Sequence, residues 1–307
     1  MKIRDAFVVV ALSAVASSCA FAATGTFERT LAVAGTPMVT ISTGSGYIHV
    51  NAGSGSAVRI EAKVTAQNGW SFGGSGSVDE RVREIIAHPP IVQSGSTITI
   101  GPSSGDDDAF RNIEIDYEIT MPARSTVKAS TGSGALEVSN IGTLLEAQTG
   151  SGDIRLKEIG GAPHVGTGSG SIRLEGVRGA ASLETGAGDI ELSQEAAGDI
   201  KAESGSGSIR LRGVNGAVRA GTGSGDIEVD GNPSAEWRLN TSSGSIRLTV
   251  NPAAHFTVNA STDSGSVRVS QAINLEDSLD RQHIVGTVNG GGPTLRLTTS
   301  SGDITIH

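Results

Sequence analysis

The chain has 307 residues, of which 43 are Gly and 9 Pro, with 37% hydrophobic and only 3% aromatic residues. So few rings exclude a thick aromatic core, and a single Cys excludes a disulfide framework. A formal charge of −9 argues against a nucleic-acid binder, which needs a basic face to displace counterions.

Residues 1–22 read as a secretory signal: Lys2 and Arg4, an apolar run from Ala6 to Ala16, then Ala20-Phe21-Ala22 as the cleavage site. The run is shorter than the roughly 20 residues needed to span a bilayer. Cleavage after Ala22 removes two bases, one acid and Cys19, so the mature charge falls from −9 to −10 and no thiol remains. Lipidation at Cys19 is not expected, because Ala16-Ser17-Ser18 lacks the Leu usual before a lipidated Cys. The mature chain is therefore expected to be exported without a transmembrane segment, to the periplasm, the cell surface or the medium.

Residues 23–128 predict an N-terminal β region. Ala57 to Val64, Ser96 to Ile100 and Ile113 to Met121 alternate apolar and polar residues with the period of a strand, and Thr43 to Val50 resembles an outlying repeat unit. Ser77-Val78-Asp79-Glu80 is a capping box that opens a short helix over residues 78–87, with Val78, Val82, Ile85 and Ile86 on one side and Pro89-Pro90 ending it. This helix is expected to cap the first coil of the repeats.

From residue 129 to 307 the chain repeats. The unit Thr149-Gly150-Ser151-Gly152-Asp153-Ile154-Arg155-Leu156 recurs, and its second glycine falls at Gly134, Gly152, Gly170, Gly188, Gly207, Gly225, Gly244, Gly265 and Gly302. The spacings are 18, 18, 18, 19, 18, 19, 21 and 37. Eighteen residues suit one coil of a β-solenoid, continuous with the preceding region. Each coil is expected to point inward a pair after the marker glycine (Ile154 and Leu156, Ile172 and Leu174), a pair before it (Leu145 and Ala147, Ala181 and Leu183) and, in several coils, one more (Ile141, Ile159, Val177, Val214). The glycines are expected to supply positive φ at the turns, and the turn Thr and Ser to bond their stacked equivalents. The outward row Glu137, Arg155, Arg173, Glu191, Arg210, Glu228, Arg247, Arg268 alternates in sign at most steps and reads as register control. The last coil ends at Ile306-His307, an edge expected to be bare.

No catalytic, cofactor-binding or metal-ligating set emerges. The six histidines, at 49, 88, 164, 255, 283 and 307, lack metal-ligand spacing. Gly101-Pro102-Ser103-Ser104-Gly105 matches a nucleophile elbow only formally, since Asp106-Asp107-Asp108 follows it. Asp153, Asp189 and Asp226 stand in alternate coils and supply too few oxygens for calcium. The loop Asn68-Gly69-Trp70-Ser71-Phe72-Gly73 offers Trp70 and Phe72 as a partner-contact tip, with a hydrophobic plug over the first coil as the plainer reading.

The tandem Thr-Gly-Ser-Gly-Asp-Ile-Arg-Leu units, Asp116 to Pro122 before them, and Gly286 to Gly292 leading to Thr298 to Ile306 resemble the bacterial putative-adhesin domains of unknown function, over roughly residues 40–307. That resemblance implies an exported β-solenoid of the cell envelope acting in adhesion or envelope-stress sensing, with no catalytic residues to carry over. The expected function is a non-enzymatic envelope protein presenting a rigid β-surface to a protein or glycan partner. The alternatives are a stress-sensing or scaffold component, a polysaccharide-active β-helix enzyme, or a structural protein associating end to end.

Overall fold

The structure is a computed structural model that describes residues 23–67, 78–102, 107–275 and 281–307. The signal segment and the Trp70–Phe72 tip lie outside the described residues. The chain is mostly β and divides into two compact units, one ending at Leu144 and one beginning at Leu145.

In the first unit, the strands Met38–Ser45 and Thr126–Ser133 pair in parallel, as do Ile48–Gly53 and Leu136–Ser139. Beside them Thr24–Ala32, Ala57–Ala66 and Ile113–Pro122 form an antiparallel group. The expected helix is present as Val78–Ala87, with Val82 and Ile85 buried. Its chief partners are the antiparallel strands Ala57–Ala66 and Thr24–Ala32 and not a parallel coil. Gly25 makes room for it: a Cβ there would stand 2.3 Å from the Ile86 side chain. A second, four-residue helix, Asp107–Phe110, has no counterpart among the expected elements; Arg81 of the first helix donates to the carbonyls of Asp108, Ala109 and Arg111 beside it.

The second unit is the predicted solenoid. Strands Ile154–Lys157, Ile172–Arg178, Ile190–Ala196, Ile209–Asn215, Ile227–Asn232 and Ile246–Val250 stack in parallel as one sheet, and Leu145–Thr149, His164–Thr167, Ala181–Thr185, Ile200–Ser204, Val218–Ser224 and Trp237–Ser243 stack as the other. Register follows the repeat: Ile154 lies beside Ile172, Ile190, Ile209, Ile227 and Ile246 in turn. The inward pairs are buried on both sheets, and so are Ile159, Val177 and Val214. Each fully buried Ile or Leu contributes roughly 1.5–3 kcal/mol, an upper bound because the unfolded chain is itself partly compact. Besides the turn hydroxyls, an amide is buried: Gln194 lies beside Val177, its amide donating to Gly179 and Gly198 and accepting from the Asn215 N–H. Trp237, the bulkiest side chain fully enclosed, donates its indole N–H to the Gly216 carbonyl at 2.9 Å.

Three expectations need correction. Gly170, Gly188, Gly207, Gly225 and Gly244 do not lie at positive φ; among the markers only Gly265 and Gly302 do. What demands glycine is the approach of the neighbouring coil, since a Cβ on Gly170, Gly188 or Gly207 would lie 1.9–2.0 Å from the carbonyl oxygen of the marker before it. The turn hydroxyls, likewise, do not bond one another. Thr167, Thr185, Ser204, Thr222 and Thr241 donate to the carbonyls of Gly152, Gly170, Gly188, Gly207 and Gly225, at 2.8–2.9 Å. These side chains are buried, and a buried hydroxyl without an acceptor would cost about 1–3 kcal/mol.

The third correction concerns the C-terminal edge. Ile304–Ile306 is not bare: it lies between Ile246–Val250 and Val267–Val269, parallel to both. Thr294–Ser301 lies in the same way between Trp237–Ser243 and Phe256–Ser264. Residues 251–275 and 281–293 thus form the earlier coil Phe256–Val269 and an antiparallel addition of His283–Val288 and Ile273–Leu275, and the last coil enters the stack ahead of that coil. The connection to the last coil runs through Asn289, Gly290 and Gly291, all at positive φ, and Asn289 is held by the Pro252 and Ala254 carbonyls and by a close contact with His255.

Candidate binding surfaces

The outward side chains of the second unit are positioned by strand alternation and spaced by the coil stack. On the face that follows the marker glycines the row runs Arg155, Arg173, Glu191, Arg210, Glu228, Arg247, Thr305, Arg268. Thr305 enters this row because of the threaded last coil. Glu191 is held by Arg173 at 2.6 Å and by Arg210 at 3.1 Å, while Arg210 also reaches Glu228 at 2.8 Å. Arg178 bridges Glu158 and Glu195 nearby. These groups are half-buried to exposed and reach solvent, so each pair is worth about 0.2–1 kcal/mol.

The carboxylates next to the marker glycines have a different use. Asp153, Asp189, Asp226 and Asp303 accept the N–H of Ser171, Ser208, Ser245 and Ser266 in the adjoining coil, at 2.8–3.0 Å. The Ser245 N–H, followed by Arg247, holds the Asp226 carboxyl below its usual range. Asp303 is lowered mainly by the Ser266 hydroxyl and N–H, with Arg268 adding to this. The alternation of Asp and Ser along the repeat therefore records a donor and an acceptor in successive coils.

In the first unit a cleft of about 280 Å³ is lined by Phe27, Glu28, Tyr47, Glu61, Asp116 and Glu118, among others. Asp116 accepts the Tyr47 N–H at 3.1 Å, and the Tyr47 hydroxyl donates to Glu118 at 3.3 Å. Burial, then Glu114, pushes Asp116 up, against the Tyr47 hydrogen bond and Lys63; burial, then Glu118 and Asp116, pushes Tyr47 up. Beneath this cleft Tyr117 is fully buried edge-on to Phe27, and its hydroxyl has no hydrogen-bond partner among the described residues; burial alone drives its pKa upward.

Trp70 and Phe72, the predicted contact tip, are outside the described residues. The histidines stay apart: His88 pairs with Glu84, His255 contacts Asn289 and His307 meets Ser270. Among the described residues no group of three or more His, Cys, Asp or Glu side chains is arranged to hold a metal ion. Among them, too, no helix is long and apolar enough to cross a membrane.

No curated protein matches the sequence. Similar solved structures include a putative cell adhesion protein from Clostridium sporogenes, 12% identical, covering 92% of this chain and 99% of that one with a TM-score of 0.23. A putative adhesin from Bacteroides fragilis is 15% identical over 92% of this chain and 97% of that one, TM-score 0.39. A putative lipid binding protein from Parabacteroides distasonis is 11% identical over 92% and 97%, TM-score 0.34. The sequence profile of the Toastrack domains, DUF4097, matches residues 39–307, and the chain belongs to that family.

Proposed function

We propose that the protein is an exported, non-enzymatic component of the cell envelope whose coil stack presents a rigid polar surface to an envelope protein or glycan. The supporting observation is the commitment of the charged groups on the repeats: carboxylates hold the N–H of the next coil or pair with arginines across coils. General acid–base work near neutral pH needs a carboxyl free to exchange its proton there. Asp226 and Asp303 are held ionised instead. A stack of identical turns also keeps outward side chains at a constant spacing, which suits repeated contacts with an extended partner. Export rests on residues 1–22, and the loop bearing Trp70 and Phe72 is proposed as an additional contact.

Co-sedimentation of residues 23–307 with purified envelope fractions tests the reading. Saturable binding without release of reducing ends from the glycans is the expected result. Absence of binding, or glycan cleavage that scales with protein, overturns it. Trp70→Ala and Phe72→Ala are expected to weaken that binding, and unchanged binding removes the loop from the contact.

A further inference from the structure

The second outer face of residues 145–307 carries a row of its own. Its outward positions, six residues before each marker glycine, read in spatial order Glu146, His164, Ser182, Lys201, Arg219, Arg238, Arg296, Asn259. Four cations stand on adjacent strands in direct register, about 4.8 Å apart. Arg296 joins the other three only because the last coil is threaded beside Trp237–Ser243. Like charges placed directly opposite oppose pairing, and the chain as a whole is acidic. Cation beside cation, the row works against the pairing of its own strands.

Its four cations have two carboxylates as ion-pair partners. Lys201 reaches Glu203 at 3.2 Å, and the single carboxylate of Glu236 serves both Arg238 and Arg296, at 3.1 Å each. Arg219 is exposed and in no ion pair among the described residues. Two residues before and after it stand Ala217, just ahead of the strand, and Gly221, within it. A Cβ on Gly221 would meet nothing within 4 Å, and its φ is not left-handed, so neither packing nor backbone asks for glycine there. A glycine inside a strand weakens it and marks a place where something else comes close. On the other side of Arg219, toward Ala217, a shallow cleft of about 310 Å³ is lined by Lys201, Arg219 and Arg238 together with Asp199 and Glu236.

We propose that this row is the binding track for a linear acidic polysaccharide, whose carboxylates engage the cations as the chain lies along the row. The inference rests on the envelope-binding reading above and names the class of ligand. Successive uronates turn about the axis of an extended chain, so only part of the polymer's carboxylates face the row at once, and cations on consecutive strands about 4.8 Å apart offer each of these a partner. Three of the four cations are arginines, whose planar fork grips a carboxylate through two parallel hydrogen bonds. The row is one residue wide, with Glu184 and Glu203 along one side and Asp199 and Glu236 along the other. A flat anionic membrane would press on those acids as well, whereas a slender chain passes between them.

Isothermal titration of residues 23–307 with polygalacturonate, with the fully methyl-esterified polymer and with vesicles of phosphatidylcholine and phosphatidylglycerol tests the proposal. The expected result is salt-sensitive binding of polygalacturonate alone. Arg219→Gln is expected to weaken it roughly tenfold, the scale of one lost charge-assisted hydrogen bond. Gly221→Val is expected to weaken it with unchanged charge and an undiminished melting temperature, and Arg173→Gln on the opposite face to leave it unchanged. Equal affinity of Arg219→Gln and the parent, equal binding of the esterified polymer, or binding of vesicles in place of the polymer overturns the proposal. If the Arg219→Gln protein still co-sediments with envelope fractions as the parent does, the track fails while the envelope-binding reading stands; if the parent binds no fraction, that reading fails by itself.

Discussion

On the face of the stack that follows the marker glycines, Arg173, Glu191, Arg210 and Glu228 alternate in sign, and each touches its neighbour. On the face that precedes them, Lys201, Arg219, Arg238 and Arg296 repeat one sign, and the intervening contacts go to two shared or flanking carboxylates. The same coils build both, with the same spacing and the same buried aliphatic column. Backbone architecture therefore does not dictate what the outside carries. One face commits its charges to register, and the other shares two carboxylates among three cations and leaves Arg219 in no ion pair among the described residues.

The largest effects come from the turns that join the two faces. Gly207→Ala puts a Cβ about 2.0 Å from the Gly188 carbonyl, backbone against backbone, and is expected to cost about 3 kcal/mol or more in denaturant unfolding. The same change at Gly221, which faces open space, is expected to stabilise by about 0.5–1 kcal/mol. Equal effects at the two sites would refute the account of why this chain is so rich in glycine.

Thr185→Val tests the turn hydroxyls. It keeps the shape but deprives the Gly170 carbonyl of its donor, with an expected loss of about 1–2 kcal/mol, measurable by urea titration. Ser204 fills the equivalent place, so Thr185→Ser should recover most of the loss.

Acid separates the faces next. Asp226 and Asp303 titrate below the ordinary carboxylate range, so their contribution is complete above the unfolded value of about 3.9 and disappears as pH falls through the lower folded value. Melting temperature followed downward from pH 5 should drop less steeply for Asp226→Asn than for the parent; parallel curves would contradict the role given to the Ser245 N–H.

The smallest effects compare the rows directly. A double-mutant cycle on Arg173 and Glu191 is expected to show about 0.2–1 kcal/mol of favourable coupling. At low salt, a cycle on Arg219 and Arg238 is expected to show coupling of similar size and opposite sign. Coupling of the same sign in both would erase the distinction between the faces.

The inward column is legible in the sequence because period-2 alternation and an 18-residue repeat both report burial, and Ile154, Leu174, Val214 and Trp237 are buried as read. The function of the glycines is only half legible. A turn glycine chosen for positive φ and one chosen for close approach look alike in sequence, and only the neighbouring carbonyl tells them apart. The spatial order of the last coils is hidden for a related reason: Thr241, Thr262 and Thr299 carry the same turn chemistry, so each pair of these coils is chemically compatible. The cationic row does leave a signal, a Lys or Arg six residues before Gly207, Gly225, Gly244 and Gly302. It escapes a reading that follows the outward row only on the far side of each marker.

The threading of residues 294–306 also bears on how the chain folds. The coil at 256–269 is synthesised before the strands that end up separating it from 237–250, and its Thr262 and Gly265 fit what Gly244 offers. A nascent chain can therefore close that seam prematurely, and the native order requires it to reopen. Late insertion of this kind predicts a slow final phase in refolding, one that hastens when the seam is weakened and vanishes when the last fourteen residues are removed.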